Sequence, residues 1–347
     1  MFYKLLSVVS LFSMLFESMA FSVPFKNVLI LDHLNINHEQ HRHDQLKAFY
    51  FSFLQCAIDP RKKENLEKSR KTLWANIGAQ QFHLPEGKPD AQILKGQITL
   101  GYPDIRKLLE SYERDKDTQN ILNDSKFNIV LLNEETLEVS DPWGNKFMIV
   151  NTDRDKDDRG TQAGNSLGIE MSDLLIQVPI NSNMSGIARF YEQILDTPIL
   201  ECNDDTVIVS MGPYQTLTFA KSDNPNDGIN MHVDLRDEPE NNPEGKPYFL
   251  SNYGPHISIY VGDIRGTYKR ADALGSVYVN PRFSRKAYDE NEVVSDCMFR
   301  CLDIIDPLDV ESGPIIRLEH EVRSVVKADG SLYKSCPFVV VPKGCIV

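Results

Sequence analysis

The chain has 347 residues, 41% hydrophobic and 9% aromatic, enough for two domains or one double domain with a large core. Its formal net charge of −13 repels phosphate backbones and anionic lipid, and no basic stretch offsets it, so no nucleic-acid partner is expected. No P-loop, dinucleotide fingerprint or Gly-x-Ser-x-Gly elbow occurs, which removes the commonest nucleotide and serine-nucleophile chemistries.

Residues 1–20 read as a targeting leader. Lys4 supplies a positive start, residues 5–16 are an apolar run too short to span a bilayer comfortably, and Ser18-Met19-Ala20 is a small-x-small cleavage site. An uncleaved N-terminal anchor is the alternative. Phe21, directly after the expected cut, resembles the leaders of algae with secondary plastids. The expected address is the secretory pathway or extracellular space, or a plastid reached through that leader. No later segment is apolar enough to span a membrane, so no stable insertion is expected once the leader is removed.

Beyond the leader the chain repeats one pattern four times: a strand carrying a polar residue, a helix, then more strands. The first strand, residues 27–33, continues through Leu34-Asn35-Ile36 and carries His33. His38, His41 and His43 follow in a polar context that reads as a solvated loop rather than a metal site. Residues 44–55 place Leu46, Phe49, Tyr50, Phe53 and Leu54 at helical spacing, a core-facing stripe. Residues 72–77 and 81–84 read as strands on either side of Gly78. The second module opens with Gly96-Gln97-Ile98-Thr99-Leu100, followed by a helix over 106–112. Strands over 127–132 and 136–139 lead to the tight turn Asp141-Pro142-Trp143-Gly144-Asn145.

Residues 153–165 are charged and without apolar periodicity, a linker between two halves. The third module carries Asp173 on its first strand, a helix over 186–195 packed through Ile187, Phe190, Tyr191 and Ile194, and strands over 198–202, 206–211 and 215–220. Residues 224–242 are a polar excursion containing Met231-His232-Val233. The fourth module opens with Pro255-His256-Ile257-Ser258-Ile259-Tyr260-Val261. Here His256, Ser258 and Tyr260 alternate with apolar residues, a strand with one packed and one chemically useful face. A helix over 265–274 follows, then strands near 277–279 and 297–304 and a last strand over 314–323. Asp306-Pro307 falls where Asp141-Pro142 fell. Of the six cysteines, Cys336 and Cys345 either close a small loop as a disulfide or stay buried thiols, as the other four are expected to.

The fourfold pattern, with His33, Gln97, Asp173 and His256 at equivalent places and Phe49-Tyr50 and Phe190-Tyr191 on the helices, resembles the vicinal oxygen chelate superfamily of glyoxalases, bleomycin resistance proteins and extradiol dioxygenases. The resemblance spans residues 27–323. It implies an α+β fold in which four βαβββ modules pair into two half-barrel cups. The expected organisation is the leader (1–20), an N-terminal two-module domain (21–152), a linker (153–166), a C-terminal two-module domain (167–326) and a tail (327–347). Because both cups can close within one chain, a monomer is expected.

The resemblance also implies a divalent metal (Fe, Mn, Mg, Ni or Zn) held by first-strand residues and a last-strand carboxylate. In the C-terminal half these positions read Asp173, His256 and Glu319. The N-terminal half offers His33 with Gln81, Gln97 and Met148, a poorer donor set, with His83 on the same face as Gln81. His320 and Glu321 are the nearest candidate bases, and Glu321 shares the face of Glu319, so either carboxylate is a possible ligand. Two functions follow: metal-dependent lyase, isomerase or dioxygenase chemistry on a small oxygen-chelating substrate, or metal-free small-molecule binding. Taken singly, His33 and His256 also read as residues hydrogen-bonded to neighbouring backbone or to Asp32.

Overall fold

The computed structural model describes residues 26–68, 72–87, 90–154, 166–222, 255–280, 289–333 and 336–346. The leader, most of the linker and the Met231-His232-Val233 segment lie outside the described residues. The first module comprises β1 (Val28–Asn35), α1 (His43–Lys47, continued by a π-helix over Ala48–Phe53), β2 (Ala57–Ile58), α2 (Lys63–Glu67), β3 (Leu73–Ile77) and β4 (Gln80–Leu84). The second comprises β5 (Gly96–Tyr102), α3 (Ile105–Arg114), α4 (Lys116–Asn123), β6 (Asn128–Asn133), β7 (Thr136–Ser140) and β8 (Lys146–Asn151). The third comprises β9 (Glu170–Val178), α5 (Met184–Gln193), β10 (Ile199–Cys202), β11 (Thr206–Ser210) and β12 (Thr216–Lys221). The fourth comprises β13 (His256–Val261), α6 (Ile264–Ala273), α7 (Glu290–Asp296), β14 (Met298–Ile305) and β15 (Pro314–Ser324). Among the described residues no helix is long and apolar enough to cross a membrane.

Two mixed sheets carry these strands. One runs β14-β15-β13-β1-β4-β3-β2, the other β10-β11-β12-β9-β5-β8-β7-β6. The centre of each is an antiparallel pair of first strands, β1 with β13 and β5 with β9, flanked by parallel last strands. The modules therefore pair as first with fourth and second with third. Sequential pairing into an N-terminal and a C-terminal cup is not what the sheets show. Period-2 alternation specifies which residues share a face, and says nothing of which module lies alongside.

Local chemistry explains most element ends. Asp104, Asn183 and Asp263 cap the helices α3, α5 and α6, each accepting from a backbone N–H of the first turn. The turn before β8 is built on Asp141, whose carboxylate accepts from the N–H groups of Trp143, Gly144 and Asn145 and from the Asn145 amide. Its counterpart Asp306 likewise accepts from the N–H two residues on, that of Leu308, and also binds Arg189 and Asn183 of the third module, tying the fourth to it. The two sheets are also joined through side-chain amides. Gln215 bonds both the N–H and C=O of Leu31, and Gln80 accepts from the Met171 N–H.

The core fills the space around the helices. Phe49, Tyr50, Phe53, Phe82, Phe147, Phe190 and Tyr191 are all buried within it, as their helical and alternating spacing requires. His38 departs from the expectation of a solvated loop: it is buried beside Trp143, and its strand-like bridge to Glu86 encloses it. All six cysteines are free thiols, so the tail is held by packing rather than a disulfide.

Gly78 turns β3 into β4 at φ 56°, and a Cβ there would stand 1.7 Å from the Ile169 carbonyl oxygen. Gly275 has φ 75° with open space around it. Gly78→Ala is expected to cost about 2–4 kcal/mol in urea unfolding, because strain and backbone overlap add, whereas Gly275→Ala costs about 1–2 kcal/mol from strain alone.

Candidate metal centre

The cup between the first and fourth modules owes its chemistry to a bulge. β1 pairs with β13 as Leu31 to Ile259 and then His33 to Ser258, a register shift with Asp32 as the extra residue. Before it Leu31 faces the core; beyond it Leu34 and Ile36 do. His33 and Asn35 are thereby turned to the opposite face, into the cup. Asn35 stands opposite His256, and β15 brings Glu319 beside His256 and Glu321 beside Ser258.

His33, His256 and Glu321 converge there. One donor atom from each lies within 4.8 Å of the others, and all three residues are buried. The Asp32 carboxylate takes the His33 Nδ1–H at 2.8 Å, which leaves Nε2 as the lone-pair nitrogen. Among the described residues that Nε2 has no hydrogen-bond partner, nor has His256 Nδ1. Burial lowers the pKa of His33 and pushes His256 down to about 3, against the pull of Glu319, so both rings are neutral and able to donate a lone pair. His83 stacks on His33 with ring centroids 3.7 Å apart, is sandwiched against Trp74, and bonds Gln81 at 3.1 Å.

Two arginines complete the centre. Arg300 bridges Glu319 and Glu321, and Arg323 holds the other oxygen of Glu321. Burial alone would raise the Glu321 carboxyl, but Arg300 and Arg323 outweigh it and hold it well below the usual range, hence ionised. Asn280 donates to Glu319 at 2.9 Å. Three carboxylates (Asp32, Glu319, Glu321) thus face two guanidiniums, one negative charge in excess. Two neutral imidazoles with unused lone pairs and an ionised carboxylate fit a borderline divalent cation, which would share Glu321 with the arginines.

The sequence-derived candidates are redistributed by the module pairing. His33 and His256, expected in separate cups, lie in one. Glu321, one of the two expected bases, sits with the two imidazoles in the candidate donor cluster, and Glu319 is held by Arg300 and Asn280 alongside. His320 points the other way: Nδ1 bonds the Leu318 carbonyl and Nε2 the Tyr191 hydroxyl, inside the core, where it reaches nothing in the cup. Asp173 is in the other sheet, accepting from Thr216 and Thr218. There Thr99 stands opposite Asp173 with Met148 beside Thr99, Gln97 stands opposite Leu175, and among the described residues no second candidate cluster of metal donors forms. Arg300 and Arg323 were not foreseen. Arg323 carried a signal, standing two residues beyond Glu321 on the same face of a strand; Arg300 carried none.

No family model matches the sequence, and no curated protein matches it. Solved structures similar in fold include a provisionally assigned dioxygenase from Bacillus subtilis (13% identity, 86% of each chain covered, TM-score 0.47). Glyoxalase I from Zea mays is similar at 11% identity over 86% of this chain and 93% of that one, TM-score 0.46. The cppA protein from Streptococcus pneumoniae is similar at 10% identity over 87% and 100%, TM-score 0.44. At these identities the likenesses concern the path of the chain and not its reaction. The chain folds as three complete βαβββ modules and a fourth in which the strand expected at 277–279 is reduced to a single bridge between Val277 and Cys301, and the four pair into two cups.

Asp173 gives a test of the second cup. Burial raises its carboxyl from 3.8 to about 6, against the Thr216 and Thr218 hydroxyls. The folded protein therefore holds this proton more tightly than the unfolded chain. The resulting penalty is complete above pH 6 and absent below about pH 4. Asp173→Asn should be more stable than wild type at pH 7, by on the order of 1–3 kcal/mol, with the advantage fading between pH 6 and 4 in urea unfolding.

Proposed function

We propose that the cup between the first and fourth modules is a divalent-metal centre that binds a small oxygen-chelating molecule for lyase, isomerase or dioxygenase chemistry. The observation that carries this reading is the convergence of His33 Nε2, His256 Nδ1 and Glu321 as buried donors, the two nitrogens being without a protein partner. His33, His256 and Glu321 would hold the ion. A bound divalent metal supplies a Lewis acid that polarises paired substrate oxygens. Three protein donors leave coordination positions for those two oxygens.

The chain's own groups set what enters. The cup holds one excess negative charge, so a divalent ion would leave it with one positive charge, which a singly charged oxygen anion neutralises. Asp32 fixes the tautomer and orientation of His33, and the stack of His83 and Trp74 supports that ring from behind. Arg300 and Arg323 keep Glu321 ionised at all working pH values. Glu319, fully buried and bonded by Arg300 and Asn280, orients the arginine rather than the substrate.

A second reading has one observation behind it. Both oxygens of Glu321 are already occupied by guanidinium groups, which suits a metal-free cup that binds small ligands without turning them over.

Metal analysis of the protein purified without chelator separates the two. The metal reading expects a single equivalent of divalent ion, lost in His33→Ala, His256→Ala and Glu321→Gln and retained in Asp173→Ala. Asp32→Asn should weaken metal affinity by about 10–100-fold without abolishing it. Protein that takes up no metal under any loading condition, yet gains thermal stability from small anionic ligands, would establish the second reading instead.

A further inference from the structure

Two further buried polar groups in the cup of the first and fourth modules lack a partner. β13 runs from His256 to Val261 without an extra residue of its own, so Ser258 shares the face of His256. β1 presents Asn35 on that face together with His33. Across the seam Ser258 stands opposite His33, and Asn35 opposite His256. The four form a two-by-two block on the central strands, with one imidazole and one hydrogen-bond donor on each strand. Ser258 is wholly buried and Asn35 is 8% exposed, and among the described residues neither Ser258 Oγ nor Asn35 Nδ2 has a hydrogen-bond partner. Glu321 is the neighbour of Ser258 on β15, but its oxygens are held by Arg300 and Arg323. A buried donor left unpaired is costly, and two of them beside lone-pair nitrogens call for an acceptor that arrives from outside.

The surroundings narrow what carries that acceptor. The row through Ser258 reads Arg300, Glu321, Ser258, His33 and Gln81 across five strands. The row through Asn35 reads Glu319, His256, Asn35, His83 and Trp74. Neither row holds an aliphatic side chain, so an aromatic or long alkyl body laid over them would strip polar groups of water without return. The one indole is already taken. Trp74 stacks on His83 at 4.4 Å and carries Arg61 and Lys62 at 4.6 and 4.3 Å from its ring centre. This selects a ligand that is small and polar throughout. Beyond the two oxygens given to a metal it needs a third, to accept from Asn35 and Ser258, and the charge balance of the cup calls for one negative charge.

We propose, resting on the metal-centre reading above, that Asn35 and Ser258 bind the free carboxylate oxygen of a short aliphatic 2-oxo or 2-hydroxy acid. The other carboxylate oxygen and the oxygen on carbon 2 are then the chelating pair. Such an acid is a monoanion with three clustered oxygens, and it pairs both donors that the protein leaves open. A catechol has two oxygens on an apolar ring and no third acceptor, so it would leave both donors buried and unpaired, which is how a polar site rejects an analogue.

Titration calorimetry of the full chain loaded with Mn²⁺ or Zn²⁺ tests this, with metal content measured on every sample. Pyruvate or glycolate should bind at one per chain, and catechol at least about 10-fold more weakly. Ser258→Ala and Asn35→Ala should each raise the dissociation constant for the acid by roughly 10–100-fold, with metal content unchanged. Without ligand, Ser258→Ala should melt no lower than wild type, since it deletes a hydroxyl that had no partner. A clear drop would mean that the hydroxyl is bonded within the protein, and would overturn the assignment. Metal-loaded protein that binds neither acid, prefers catechol, or binds the acid equally in both variants would also overturn it while leaving the metal centre standing. Protein that takes up no metal would overturn both.

Discussion

The structure depends most on the antiparallel pairing of β1 with β13. That contact joins the first module to the last, sets His33 and His256 on one face, and lets β15 deliver Glu321 beside them. Its register is enforced by packing on both faces, since every residue of both strands is buried. A slip by one residue toward the C-terminus would exchange the imidazoles for Leu34 and Ile257 and turn polar groups against the core. The bulge at Asp32 is part of the same constraint. Without it His33 would share the core face of Leu31, and Asp32 would not be free to accept from its ring. A register shift at the equivalent place in β9, between Asp173 and Met171, turns Asp173 into the second cup. The same backbone device therefore serves two cups of different content.

That difference in content is an electrostatic one. The first cup collects three carboxylates, two guanidiniums and three imidazoles. Burying so much charge is costly unless each group is paired, and here Arg300 and Arg323 pair the carboxylates of β15 while Asp32 and Asn280 supply hydrogen bonds. Among the described residues, the buried atoms around this cup that the network leaves unsatisfied include His33 Nε2 and His256 Nδ1, the two able to give a lone pair to a cation, beside Ser258 Oγ and Asn35 Nδ2. Full satisfaction would point to a structural cluster, whereas the orphaned lone pairs of His33 and His256 point to a ligand. In the second cup a single carboxyl is answered by two threonine hydroxyls and nothing is left over.

Much of the fold was legible because its signals are local. The strand-then-helix recurrence, the helical stripe of Phe49, Tyr50 and Phe53, and the Asp-Pro turns at Asp141 and Asp306 all follow from spacing and turn chemistry. His33 and His256 were legible as candidates for the same reason: each is a polar residue on an otherwise apolar strand. Their membership of one site was not, because partnership between modules is decided by whole-surface packing. The role of Glu321 over Glu319 turned on the rows of β15 beside β13, and alternation gives those two residues the same face. His320 was misjudged by proximity in sequence; the strand turns it into the core against Tyr191. Asp32 could be read as a partner of His33, but the bulge it forms leaves no trace in the periodicity of a strand with apolar residues on both faces.

The nested pairing has a consequence for how the centre comes into being. The second and third modules are consecutive, so β5 meets β9 across one connection. β1 and β13 must instead close the chain from Val28 to Val261. Loop-closure entropy grows only slowly with separation, but non-local pairing lengthens the search. The sheet of the inner modules offers a ready surface for the outer ones, through Gln215 reaching the backbone of Leu31 and Asp306 reaching Arg189. Those contacts bind the outer modules to the inner pair in addition to the β1–β13 seam. The donors His33 and His256 come from opposite ends of the chain and converge only when the last seam closes. A metal held by these donors would be coupled to completed folding, and neither half of the chain could hold it alone.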